Sequence, residues 1–158
     1  MSGAGAPTTR TPVDGRGLRV AIIAGTWHET ISEGLIAGAR RALDAAGAEH
    51  SLVRVPGSFE LALAAQAAFA GGADAVVALG VIIRGGTPHF DYVSSATTDG
   101  LTRVALDAGR PVGFGVLTLD DEQQGLDRAG LPGSKEDKGA EAADAALRMA
   151  RVIRDLRG

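Results

Sequence analysis

The chain has 158 residues, 45% of them hydrophobic and 22% charged, which is enough to build one domain around a single core. Sixteen basic against nineteen acidic residues leave a net charge of −3, and no one element gathers Lys and Arg, so neither nucleic acid nor an anionic membrane is an expected partner. There is no cysteine, which excludes disulfides, thiolate metal sites and thiol nucleophiles.

Residues 1–17 have no apolar stretch and read as a flexible lead-in; residues 18–158 read as one domain. The run Leu18–Ala24 is a buried strand ended by Gly25. From Glu29 to Ala46, the residues Ile31, Leu35, Ala39, Leu43 and Ala46 share one helical face, and Gly47 stops the helix. A second strand, 51–55, breaks at Pro56-Gly57, and a helix follows from about Phe59 to Ala70. The longest apolar run, 74–83, is a third strand. Thr87 and Pro88 then open a helix, Thr as N-cap and Pro in its first position, that reaches about Ala108. The fourth strand is 111–117. Thr118 with Asp121 resembles a capping box for a short helix ending near Gly130, and a last helix runs from about Asp137 to Leu156.

Strand and helix alternate four times. That pattern specifies an α/β fold, a three-layer α/β/α sandwich around a four-stranded parallel sheet, flavodoxin-like in layout. Ligands in such folds sit at the carboxyl ends of the strands. Those ends carry the unusual residues here: Trp27-His28, Pro56-Gly57-Ser58, Arg84 to His89, and Phe114 with Thr118. No apolar run approaches the ~20 residues that span a bilayer, and the default reading is a soluble cytoplasmic protein.

Common motifs fail. Gly113-Phe114-Gly115 lies inside a strand and lacks the third glycine of a dinucleotide loop; Gly133-Ser134-Lys135 has the wrong order for a Walker loop. No G-x-S-x-G elbow occurs, and the three histidines fall in separate segments, so no metal is expected.

The loop after the third strand is more informative. Gly85 and Gly86 let backbone approach a ligand closely, and the following helix offers free N–H groups and a positive dipole end, together a phosphate seat. His89, in the first turn of that helix, is placed to work as a base, because the dipole disfavours the imidazolium. Asp91 lies roughly 200° around the helix from it and is a poor partner. Each feature has a plainer reading. A histidine in a first turn is more often a capping or surface residue; Trp27 is as easily core or rim packing; a glutamate placed as Glu60 is usually just a first-turn charge; Arg128 could complement a helix end and Lys138 simply be solvated. The convergence of loops at one sheet edge favours the site.

Five blocks of sequence resemble the lumazine synthase family of riboflavin biosynthesis. They are Pro56-Gly57-Ser58-Phe59-Glu60-Leu61, the run from Gly80 to Val93, Phe114 to Thr118, Asp127-Arg128-Ala129-Gly130 and Asp137-Lys138-Gly139. The resemblance implies a transferase that condenses 5-amino-6-ribitylamino-2,4-pyrimidinedione with 3,4-dihydroxy-2-butanone 4-phosphate, without cofactor. It implies that Trp27 stacks on the pyrimidine, that Ser58, Phe59 and Glu60 hold the ribityl chain, and that Val81 and Ile83 line the heterocycle. Gly85, Gly86 and Thr87 would receive the phosphate, and His89 would move protons. Phe114, Arg128 and Lys138 would come from the neighbouring subunit of a pentamer. The segment 129–139 is two residues longer than the A-G-T-K-A-G-N-K-G pattern of shell-forming members and contains Pro132, which resembles members that stop at the pentamer. The alternative is a catalytically weak relative that binds riboflavin or a lumazine. A flavodoxin-like electron carrier fits less well, because Gly25-Thr26-Trp27-His28 is not a Ser/Thr-rich phosphate loop.

Overall fold

The computed structural model describes residues 5–7 and 11–158. Four parallel strands, β1 (Arg19–Gly25), β2 (Glu49–Val55), β3 (Ala75–Ile83) and β4 (Val112–Leu119), form one sheet in the order β2-β1-β3-β4. The helices are α1 (Glu29–Ala46), α2 (Leu61–Ala70), α3 (His89–Ala108), α4 (Glu122–Leu126) and α5 (Lys138–Arg157). This is the α/β sandwich expected from the alternation of elements.

The sheet has two covered faces. Val77, Leu79 and Val81 of β3 join Ile22, Leu35, Leu43 and Leu147 in the core beneath α1 and α5. Val76, Ala78 and Ile82 join Ile23, Leu61 and Leu101 beneath α2 and α3. A central strand buried on both sides has no polar alternation, which is why 75–83 reads as an unbroken apolar run. Burying each Leu or Ile contributes roughly 1.5–3 kcal/mol. Helices α1 and α5 pack unusually close, since a Cβ on Gly139 would run into the Leu35 backbone.

Three expectations shift in detail. A 3-10 turn, Ser58–Glu60, precedes α2, so the helix itself begins at Leu61. Strand β4 continues through Thr118, which pairs with Ile82, and the cap of α4 is Asp121 alone, its carboxylate accepting from Gln124 N at 2.9 Å. Thr118 is therefore a strand residue because ladder pairing with β3 outcompetes capping, and α4 ends at Leu126 rather than near Gly130. At α3 the helix opens on His89 with Pro88 as N-cap, while the Thr87 hydroxyl accepts from His89 N at 3.4 Å.

Part of the expected lead-in, residues 1–4 and 8–10, lies outside the described residues. Residues 11–17 are held against α5: Arg148 donates to Thr11 O at 2.6 Å, and Arg151 donates to Asp14 O and Arg16 O at 2.7 and 2.8 Å. Gly15 N donates to Ala46 O at 2.7 Å, and Val13 packs on the core. Among the described residues no helix is long and apolar enough to cross a membrane.

Candidate active site

From β1 the chain turns to β2 on one side and, across the sheet, to β3 on the other. Between β1 and β3 the connections leave in opposite directions, which opens a crevice at the strands' carboxyl ends. A cleft of about 810 Å³ occupies that crevice. It is lined by residues that follow β1 (Trp27, His28), follow β2 (Gly57 to Glu60), end β3 (Val81 to Ile83) and open α3 (Gly85, Thr87, His89, Phe90, Tyr92, Val93, Ala96). A smaller cleft of about 280 Å³ lies at the amino ends of β1 and β2 and has no comparable set of loops.

The loop after β1 is held by side chains that donate to backbone carbonyls. Gly25 O accepts from Ser32 Oγ at 2.9 Å and from Arg54 Nη2 at 3.1 Å, and Thr26 Oγ1 donates to Pro56 O at 2.9 Å. His28 takes a left-handed conformation, φ 55°, alone in this among the described non-glycine residues. Strain of that kind clusters at ligand-binding turns. It leaves Trp27 projecting into the cleft at 68% exposure, with the edge of its indole close to Gly57.

The 3-10 turn after β2 sits directly on β3. Ser58 is buried, its carbonyl accepting from Thr97 Oγ1 at 3.2 Å. The Glu60 carboxylate lies near Gly57 on the Trp27 side, while Phe59 is largely exposed. Loop 84–88 follows β3; Gly85 and Gly86 are exposed, and a Cβ at either would meet no other atom. His89 follows at the exposed amino end of α3. Its neighbour Asp91 pairs instead with Arg84 at 3.6 Å.

Nine of the expected residues therefore line one cleft: Trp27, Ser58, Phe59, Glu60, Val81, Ile83, Gly85, Thr87 and His89. Gly86 stands between two of them. Phe114, Arg128 and Lys138 do not line it. Phe114 is half-exposed on edge strand β4. Arg128 donates to Gln124 O at 2.9 Å, complementing the end of α4, and lies 3.6 Å from Glu136 Oε2. Lys138 is far from solvated, paired with Glu141 at 2.8 Å and Glu136 at 3.6 Å. Sequence reasoning missed Tyr92, Val93 and Ala96 as lining residues. They stand three, four and seven positions after His89, so helical periodicity starting from that histidine would have found them. It also left the role of His28 open.

The sequence model of the 6,7-dimethyl-8-ribityllumazine synthase family matches residues 17–154. The chain belongs to that family. A 6,7-dimethyl-8-ribityllumazine synthase of Leifsonia xyli subsp. xyli is 73% identical over 158 residues, all of both chains. Those of Clavibacter michiganensis subsp. michiganensis and of a Nocardioides species are 67% and 64% identical, covering 100% and 99% of this chain and 99% and 97% of their own.

Proposed function

We propose that the cleft between Trp27 and His89 is where this lumazine synthase carries out its reaction. The enzyme condenses 5-amino-6-ribitylamino-2,4-pyrimidinedione with 3,4-dihydroxy-2-butanone 4-phosphate, giving 6,7-dimethyl-8-ribityllumazine, phosphate and water in the penultimate step of riboflavin biosynthesis. The observation that carries the site assignment is the meeting of an aromatic wall, a carboxylate and an amide-rich loop with His89 at one sheet edge.

In this reading Trp27 stacks on the pyrimidine, Val81 and Ile83 contact its edge, and Ser58, Phe59 and Glu60 hold the ribityl chain, Glu60 accepting from its hydroxyls. Gly85, Gly86 and Thr87 bind the phosphate through backbone N–H groups at the head of α3. The 5-amino nitrogen attacks the ketone, and the carbinolamine loses water to give an imine. Loss of a proton from carbon then expels phosphate, and the ribityl-bearing nitrogen closes the ring with loss of a second water. Each step moves a proton, and none needs a nucleophile from the protein. His89 is the group placed to move those protons. Holding the two substrates together supplies most of the acceleration.

The working unit is a pentamer in this reading. Trp27, Phe59 and Tyr92 are exposed around the cleft of a single chain, and a neighbour bringing Phe114, Arg128 and Lys138 would cover them. Arg128 would then balance the phosphate charge. Substrates that are polyols and phosphates support the cytoplasm as the compartment. The test is lumazine formation followed optically against an enzyme-free control. A rate above control and proportional to protein, lost on dissociation to monomers, is expected; a rate equal to control would overturn the reading.

A further inference from the structure

Arg84 is the cation nearest in sequence to the phosphate-binding loop, yet it does not line the cleft, whereas Gly85, Thr87, His89 and Phe90 do. It stands behind the loop and joins three elements. Its backbone N donates to Leu119 O at 2.8 Å, its Nε donates to Asp120 Oδ1 at 3.0 Å, and its Nη1 lies 3.6 Å from Asp91 Oδ1. Its guanidinium carbon sits 4.2 Å from the centroid of Phe90, a cleft-lining ring. The end of β4, the first turn of α3 and the loop from β3 into α3 thus converge on one residue.

The charges decide what this does. Two carboxylates, Asp91 and Asp120, flank the seat of an anion, and Asp91 in the first turn of α3 competes for the same dipole end that a phosphate would use. One guanidinium faces both. From this geometry we infer that Arg84 is a positioning residue that sets the seat's affinity for anions. It offsets the two carboxylates and, through its stack on Phe90, fixes the path of residues 85–89. Only a planar fork that stacks and hydrogen-bonds at once does both, so lysine is not equivalent. The inference rests on the reading of Gly85 to Thr87 as the phosphate seat.

The signs of the variants separate this role from a simple brace. Arg84→Ala leaves two uncompensated carboxylates and is expected to raise the KM for the phosphorylated ketone, and the inhibition constant of inorganic phosphate, by about threefold to tenfold at low salt. Added salt should narrow the difference. Arg84→Lys should fall between. Asp120→Asn removes one of the carboxylates at an exposed position and should move both constants the opposite way, downward. The KM for the uncharged pyrimidine should change less than about twofold in all three, a Coulombic effect requiring a charged ligand.

Equal changes in both KM values, or Asp120→Asn raising the phosphate constants, would overturn the inference and leave Arg84 a structural brace. Hydrogen exchange of the wild-type enzyme with inorganic phosphate distinguishes the two levels of argument. Protection of the amides of residues 85–87 upholds the seat, and unchanged phosphate affinity in the Arg84 variants would then sink the Arg84 role alone. No protection at those amides would remove the seat and the role together.

Discussion

Ser58 lies directly on Gly80: a Cβ built on that glycine, midway along β3, would stand 2.5 Å from Ser58 Oγ and 3.1 Å from Leu61. The bare backbone of β3 is thus what lets the 3-10 turn settle onto the sheet and aim Phe59 and Glu60 at the cleft. Gly80→Ala must push the turn outward or distort the strand. Overpacking of this kind costs about 1–3 kcal/mol. The expected outcome is a lower melting temperature together with a raised KM for the ribityl-bearing pyrimidine. Ser58→Ala in the same chain should recover part of the stability, by removing the oxygen that collides.

His89→Ala tests how the acceleration is divided. With proton transfer as the smaller share, kcat should fall by roughly 10²-fold to 10⁴-fold at most, with both KM values little changed. A rate above the uncatalysed condensation should remain, because the cleft still holds the two substrates together. Complete loss of turnover above background would reverse that ranking.

Trp27, the single tryptophan, reports directly on the cleft. Its ring is 68% exposed in the single chain, so a stacked heterocycle should quench its emission in proportion to occupancy. Trp27→Phe should keep most of the affinity for the pyrimidine, and Trp27→Ala should lose on the order of 1 kcal/mol, about fivefold to tenfold in KM. No quenching by product would place the stack elsewhere.

The linker between α4 and α5 carries a pH prediction. Lys135 Nζ donates to Asp127 Oδ2 at 2.6 Å and Gln123 donates to Oδ1 at 3.0 Å, and these bonds, Lys135 first, hold the Asp127 carboxyl below its ordinary range. A depressed carboxylate contributes its stability above the unfolded value, near 3.9, and loses it as pH falls through the folded one. Between pH 5 and 8 the contribution of the Asp127–Lys135 pair should therefore be constant. Side-chain NMR should find Asp127 titrating in acid, below a free aspartate, and Lys135→Met should move its midpoint upward.

How far these features could be read in advance follows the reach of each signal. The extent of α1 was legible because its apolar stripe, the αL glycine at 47 and the break before Glu29 are local. The Trp27, Glu60 and His89 cluster was legible because a parallel sheet brings strand ends together whatever the loops contain. Thr118 was misplaced because its pairing with Ile82 is a non-local contact that a capping pattern does not report. The anchoring of residues 11–17 runs from Arg148 and Arg151 to backbone carbonyls more than a hundred residues away, and a carbonyl leaves no mark in composition. Glu136, which lies within 3.6 Å of both Arg128 and Lys138, is likewise visible only once α4 and α5 are folded together.

Whether Arg128 serves a neighbour's cleft can be decided by mixing two impaired chains. In the folded subunit Arg128 lies beyond α4, tied to Gln124 O and Glu136, and does not line the cleft that holds His89. If each site is built from His89 of one subunit and Arg128 of the next, the contact is head-to-tail around the ring. His89→Ala and Arg128→Ala chains should each assemble and each be impaired. Unfolded together in equal amounts and refolded, they place an intact His89 beside an intact Arg128 at about a quarter of the interfaces, so activity should return to roughly a quarter of the wild-type level. Mixing folded rings without dissociation should restore nothing until subunits exchange. Should both residues act within one chain, no mixed ring contains a complete site, and the refolded mixture would stay at the level of the separate variants.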